Sequence, residues 1–148
     1  MADFLLGMNA KIYQGAAGAA LATLSEMGNV KDVTLSLEAG EADITTRANF
    51  GWRATAPTLR QCTAEFQMLW KPGDGGFDAV KSAFLSAGTL RLAILTGDKS
   101  TSGSEGPLGD FSIINFSRSE PLEEGVTVSV TAKLAVFDSW VEVAGGGT

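Results

Sequence analysis

The chain has 148 residues, 45% of them apolar and 19% charged, and a formal net charge of −6. That is enough chain and apolar content for one domain with a sizeable core, and the acidic balance opposes gripping nucleic-acid phosphates, though not handling nucleic acid without gripping it. Histidine is absent and Cys62 is the single cysteine, which excludes Ser-His-Asp and Cys-His catalysis, histidine metal sites and an internal disulfide.

In chain order, "AKIYQ" (10–14) reads as a short strand. "GAAGAALATL" (15–24) resembles the apolar part of a signal peptide. However, Asp3 precedes it, Lys11 is the only nearby cation and a strand intervenes, so it reads as a loop or short helix. "VKDVTLSL" (30–37) has the period of two of a half-buried strand, with Val33, Leu35 and Leu37 against Asp32, Thr34 and Ser36. "EAGEADITTRANFGWRATAP" (38–57) follows, a polar segment read as a long loop. Connections of about two to six residues are the rule, so this length asks for a function. "QCTAEFQMLW" (61–70) alternates again, with Cys62, Ala64, Phe66, Met68 and Trp70 opposite Gln61, Thr63, Glu65 and Gln67.

Residues 74–88, "DGGFDAVKSAFLSAG", carry Phe77, Val80, Ala83 and Phe84 at helical spacing. Asp74 is placed to cap the start, and Gly88 to adopt the left-handed stop. "LRLAIL" (90–95) and "DFSIINFS" (110–117) are strands mixed enough to be covered on both faces in places, separated by a polar loop at 97–109. "GVTVSVTAKLAV" (125–136) alternates most cleanly, with Val126, Val128, Val130, Ala132 and Leu134 opposite Thr127, Ser129, Thr131 and Lys133. "WVEV" (140–143) adds a short strand, and 144–148 a flexible tail. No stretch reaches the roughly 20 apolar residues of a membrane helix, so no membrane partner is expected. With one helix available as a crossover, the strands pair antiparallel. The expected fold is mainly β, a β-sandwich or partly closed barrel with one flanking helix, in a single domain over 1–148.

The chemical constellations are weak. Glu38, Glu41 and Asp43 could form a carboxylate pair or oxygen-rich cation site, but the spacing matches no calcium loop, and a solvated or interface face explains them. The glycine-rich pieces "KPGDGGF" and "TSGSEGPLG" lack the Gly-Lys-Ser/Thr ending of a phosphate loop and read as turns. Cys62 lies on the apolar face of its strand with no base to activate it. No cofactor and no enzyme activity are expected. Phe50 and Trp52 either fold back on the domain as a satellite cluster or anchor a partner, together with Arg47 and Arg53. "NFSRSEPLEEG" (115–125), with Arg118, Glu120, Glu123 and Glu124, is either a surface loop worth little to stability or a subunit boundary whose charges set register.

The strings "GNVKDVTLSLEAGEADITTRANFGWRATAPTL" (28–59) and "FSIINFSRSEPLEEGVTVSVTAK" (111–133) resemble phage tail tube proteins. The family's strand, acidic turn and D-x-T-T-R followed by Gly-Trp correspond here to Asp43, Thr45, Thr46, Arg47, Gly51 and Trp52. The helix and the following "LRLAILTGD" also fit, so the resemblance covers about residues 9–143, and residues 1–8 read as an extension with no matching piece.

The resemblance implies six-membered rings stacked into a hollow virion tube, assembled in the bacterial cytoplasm, that conducts viral DNA. It further implies partners: tail initiator, terminator and tape-measure proteins, and a sheath if the tail contracts. Residues 38–57 become an assembly arm carrying Glu41, Asp43, Thr45, Thr46, Arg47, Phe50, Trp52 and Arg53. The 115–125 loop becomes a subunit boundary. Glu38, Glu65 and the row Thr127, Ser129, Thr131 and Lys133 are candidates to line the bore. Six copies at −6 each give −36 per ring, a charge that repels DNA. Two alternatives remain: the tube of a related secretion or contractile injection machine, and a monomeric β-sandwich binding module that uses Trp52 as a glycan platform.

Overall fold

Alternating sequence becomes strand almost throughout the computed structural model, which describes residues 10–143. The extension expected at 1–8 and the tail at 144–148 lie outside the described residues. The elements are β1 (Lys11–Gly15), β2 (Ser25–Glu26), β3 (Val30–Asp43), β4 (Thr55–Leu69), α1 (Gly75–Ser86), β5 (Thr89–Leu95), β6 (Glu105–Ser119) and β7 (Thr127–Glu142). The seven strands form one sheet in the order β2-β1-β5-β6-β7-β4-β3, and all their pairings are antiparallel.

The antiparallel, one-helix fold is therefore as expected, and all its strands belong to one continuous sheet. It curls without closing: β1 and the start of β3, which sit near opposite edges, line one cavity together with Ile94 and Leu95 of β5.

The main core lies on one face. Cys62, Ala64, Phe66 and Met68 of β4 and Val128, Val130 and Ala132 of β7 pack with Leu90, Leu92, Phe111 and Ile113. Phe77, Val80 and Ala83 of α1 are buried on the same core. Each large side chain so buried contributes roughly 1.5–3 kcal/mol before entropy is counted. The amide of Phe77 donates to the Asp74 carboxylate at 3.1 Å, which caps α1 as its sequence predicts. The helix stops one residue earlier than expected. Ala87, not Gly88, takes the left-handed conformation (φ 56°), and the Gly88 amide donates to the Ala83 carbonyl.

A second, smaller cluster sits on the opposite face, where Tyr13, Leu24, Ala93, Leu95 and Leu108 pack. β5 is buried from Leu90 to Leu95 because it has a core on each side. That accounts for its unbroken apolar reading. The segment over 16–24 covers this second cluster and contains a short 3-10 turn, Leu21–Thr23. Gly106 permits β6 to lie here, because a Cβ at that position would meet the Ile94 carbonyl at 1.6 Å.

Three boundaries depart from the sequence reading. β6 begins at Glu105, inside the expected loop, and "WVEV" is the end of β7, not a separate strand. The third departure is the largest. Residues 38–57 are not a loop but mostly an extended hairpin, paired as far as Asp43↔Thr55.

Candidate functional site

Beyond the core, the sheet presents a long polar face. Alternation along β4 and β7 puts Gln61, Thr63, Glu65 and Gln67 beside Thr127, Ser129, Thr131 and Lys133 on the side away from the main core. The register runs Thr63↔Lys133, Glu65↔Thr131, Gln67↔Ser129. β3 continues the face outward through Thr34↔Glu65, Ser36↔Thr63 and Glu38↔Gln61, and β6 continues it inward through Asn115↔Thr131 and Ser117↔Ser129. Gln61 donates to the Glu38 carboxylate at 3.1 Å across this face. Of these side chains only Glu38, Glu65 and Lys133 are charged. The rest are hydroxyls and amides, and all are exposed or half-buried. Ile114, at the register shift beside Asn115, is the apolar neighbour of this field.

The structure thus brings Glu38, Glu65, Thr127, Ser129, Thr131 and Lys133 together on one surface. Glu41 and Asp43 lie farther along β3, beyond the register shift at Ala39/Glu41, and belong to the arm.

The arm is the free part of the β3–β4 hairpin. β4 pairs with β7 only from Leu69 to Thr63. Past that point β3 and β4 run on as a two-stranded ribbon, while β7 follows β6 to Glu142. The tip is built, not slack. The Ala48 amide donates to the Thr46 hydroxyl at 3.3 Å and the Thr46 amide to the Asn49 side chain at 2.7 Å, capping the 3-10 turn Arg47–Asn49. The Ala54 amide donates to the Thr45 hydroxyl at 2.8 Å, tying the two sides of the tip together. The Thr45 hydroxyl and amide hold the Asp43 carboxyl below its ordinary pKa. Phe50 is 91% and Trp52 78% exposed. Neither folds back, which removes the satellite-cluster reading: the paired ribbon holds them away from the sheet.

Where the ribbon leaves β7, a fork opens between the two long hairpins. It is an apolar cleft of ≈ 670 Å3 lined by Leu37, Cys62, Pro107, Leu134, Phe137 and Trp140, with Glu38 and Arg60 also at its wall. The Trp140 indole N–H donates to Glu105 at 2.9 Å. The sequence reading did not single out Phe137 or Trp140; "VFDSW", with two aromatics in a polar strand, was the signal available.

At the opposite end of the sheet, 115–125 is the end of β6 and its turn into β7. Arg118 lies 3.6 Å from Glu120 and sits over the Trp70 ring at 5.0 Å. Glu123 and Glu124 are exposed, and Leu122 is fully exposed at 100%. Arg118, Glu120, Glu123 and Glu124 are therefore displayed together, though the Arg118–Glu120 pair is too exposed to add much stability.

Buried chemistry is structural. Arg91 donates from Nε to Asp110 at 2.9 Å and from Nη1 to Asp138 and the Ala19 carbonyl, and the Gly18 amide donates to Asp110. Arg91 holds the Asp110 carboxyl below its ordinary pKa, and the two carboxylates raise that of Arg91. Lys99 donates to the carbonyls of Leu21, Ala22 and Leu24. Together these tie the 16–24 segment to the sheet. The sequence reading missed the network, although an Arg inside "LRLAIL" was its visible trace. Cys62 is 3% exposed and burial pushes its thiol pKa up, away from nucleophile character. Among the described residues no group of three His, Cys, Asp or Glu is placed to hold a metal, and no helix is long and apolar enough to cross a membrane.

A family model described as phage tail tube protein matches residues 3–136. Among curated proteins no significant sequence match is found. The tail of an empty gene transfer agent particle, determined with C6 symmetry, is similar in fold at TM-score 0.75 and 15% identity, covering 95% of this chain and 100% of its own. The virion of the native gene transfer agent matches at 0.72 and 14%, covering 95% and 100%. The SPP1 tail tube, solved by solid-state NMR and cryo-EM, matches at 0.71 and 15%, covering 96% and 80%.

Proposed function

This chain belongs to the phage tail tube protein family, and we propose that six copies close into a ring whose stacked repeats conduct DNA through the tail. The polar face of β3, β4, β7 and β6 lines the bore, and the observation that carries this reading is its composition. A broad four-stranded field of Thr, Ser, Asn and Gln is exposed or half-buried, with no apolar layer over it among the described residues, which suits a surface that stays wet in the assembly. The C6 symmetry of the similar gene transfer agent tail supports six-fold closure. Closure would also pair the outer edges of β3 and β2, which lie free at the two ends of the sheet order.

The electrostatics of the bore then differ from those of the whole chain. Glu38, Glu65 and Lys133 sum to −1 per copy in the paired field, and Asp32, the next polar position at the start of β3, takes it to −2, against −6 for the chain. DNA affinity depends on cations that displace condensed counterions from phosphates. Lys133 is the one such group in the field, so DNA slides chiefly because little holds it, more than because dense carboxylate repels it.

The arm, with Glu41, Asp43, Thr45, Thr46, Arg47, Phe50, Trp52 and Arg53, reaches a neighbouring copy. Arg118, Glu120, Glu123 and Glu124 form a boundary at the other end of the subunit. The role is structural and not enzymatic. Its other partners are the proteins that start the tube, end it and set its length. Negative-stain electron microscopy across a concentration series tests the reading. Hollow tubes or six-fold rings are expected, and particles that remain monomeric at every concentration would contradict it.

A further inference from the structure

We infer that the fork between the β3–β4 and β6–β7 hairpins is the receptor for the arm tip of a neighbouring copy, with Phe50 and Trp52 as the inserted anchors. This rests on the assembly reading above and names the surface that completes it.

The tip is shaped to display these two rings. Phe50 is held at φ 53°, a conformation costly for a bulky residue, and Gly51 follows at φ 85°. Two aromatics at 91% and 78% exposure on a capped turn are arranged for burial elsewhere. Residues 44–54 hold Arg47 and Arg53 and no acid; Glu41 and Asp43 line a hollow with Arg53 just behind the tip, and neither arginine forms an ion pair among the described residues.

The fork complements both properties. Its ≈ 670 Å3 falls in the range of sites that bury ligand-sized groups, about 300–1,000 Å3. Phe137 is 56% and Leu37 57% exposed, so the apolar wall is unpartnered in one copy. Glu38 stands at the wall, and Glu105 and Glu142 pair across β6 and β7 beside Trp140. At the wall itself Glu38 and Arg60 balance, so Glu105, held by the Trp140 indole, is the acid left to meet an arginine of the tip.

The occupant has to come from another molecule. The fork wall at Leu37–Ala39 and the tip belong to the same ribbon, which stays paired from Ala39↔Arg60 to Asp43↔Thr55. At about 3.3 Å per residue that pairing holds the tip well beyond its own fork. The acidic turn at 119–126 is the rival receiver. It supplies charge, but Leu122 stands out from it fully exposed instead of walling a recess. Because tip and fork are different surfaces, the contact is heterologous and propagates from copy to copy until a ring closes.

Photo-crosslinking tests this directly. A benzophenone amino acid replaces Trp52, the chain is assembled with isotopically labelled wild type, irradiated and digested. Intermolecular adducts on peptides holding 37–39 or 134–140 are expected. If that variant does not assemble, the probe goes to Phe137, and adducts on 47–53 are expected. Adducts on 119–126 or elsewhere, from particles that do form tubes, would overturn the inference and leave the assembly reading standing. Failure of the unsubstituted protein to form rings or tubes would overturn both. Independently, Phe137→Glu should keep the wild-type melting temperature yet lower assembly at least about tenfold, and normal assembly of that variant would also overturn the inference.

Discussion

The two long hairpins have nearly the same architecture and opposite surroundings. β6 and β7 run together for their whole length: Phe111, Ile113, Val128, Val130 and Ala132 sit in the main core, and beyond them Leu108 packs in the second cluster while Asp110 and Asp138 hold the Arg91 clamp. The first half of β3 and the second half of β4 share the main core, and the rest of the hairpin continues bare. An isolated two-stranded ribbon is marginally stable in water. This one persists through backbone pairing and a capped tip, without a core beneath it. The difference teaches where the chain spends its apolar residues. In the core halves of both hairpins they close the subunit; on the arm at Phe50 and Trp52, and at the fork at Leu37, Phe137 and Trp140, they stay exposed.

That contrast predicts very different costs for similar mutations. The largest belongs to the closed side. Phe77→Ala removes a fully buried ring and should destabilise the monomer by about 3–5 kcal/mol, read as a lower denaturant midpoint. A loss below 1 kcal/mol would mean that α1 is not part of the cooperative core.

Arg91→Met comes next, at about 3 kcal/mol near neutral pH, because it strands Asp110 without its partner. The pH dependence has a defined sign. Asp110 is depressed below its ordinary 3.8, so its contribution is present above that value and lost as pH falls through the lower folded value. The gap between variant and wild type should therefore narrow in acid, measured by urea unfolding at several pH values. A gap that widened in acid would remove the ion pair from the account.

On the open side, Phe50→Ala with Trp52→Ala should change monomer stability by less than about 0.5 kcal/mol, and yet abolish tubes by electron microscopy. A large loss of monomer stability would place those rings in the subunit's own packing. The smallest effect on folding belongs to the polar face. Thr131→Lys should leave both stability and tube yield unchanged, and slow DNA release from particles carrying it. Undiminished release from such particles would take that face out of the bore.

The sequence carried the local and the periodic well. Asp74 was legible as a cap because capping is a short-range hydrogen bond, and the polar rows of β4 and β7 because alternation follows directly from the pleat. Period two reports which face is wet; it does not report how far a strand runs or what it joins. Glu38–Asp43 intersperses Ala39, Gly40 and Ala42 with acids, so no apolar stripe marked it as strand. It is held by pairing with residues 55–61, a long-range property. Gly40 sits at the register shift in that pairing, where a Cβ would meet the Thr58 hydroxyl at 2.6 Å. Ala87 displaced Gly88 as the helix stop because the geometry of the last turn, not the propensity of one residue, sets where the chain reverses. The fork was hidden for the same reason as the arm: Leu37, Cys62 and Phe137 meet only where two hairpins part.

The most direct test of the central claim is a cryo-EM reconstruction of tubes assembled from the purified chain. The account predicts six copies per ring, with the field of Glu65, Thr127, Ser129, Thr131 and Lys133 turned toward the bore. A ring with those side chains facing outward, or buried between subunits, would contradict it.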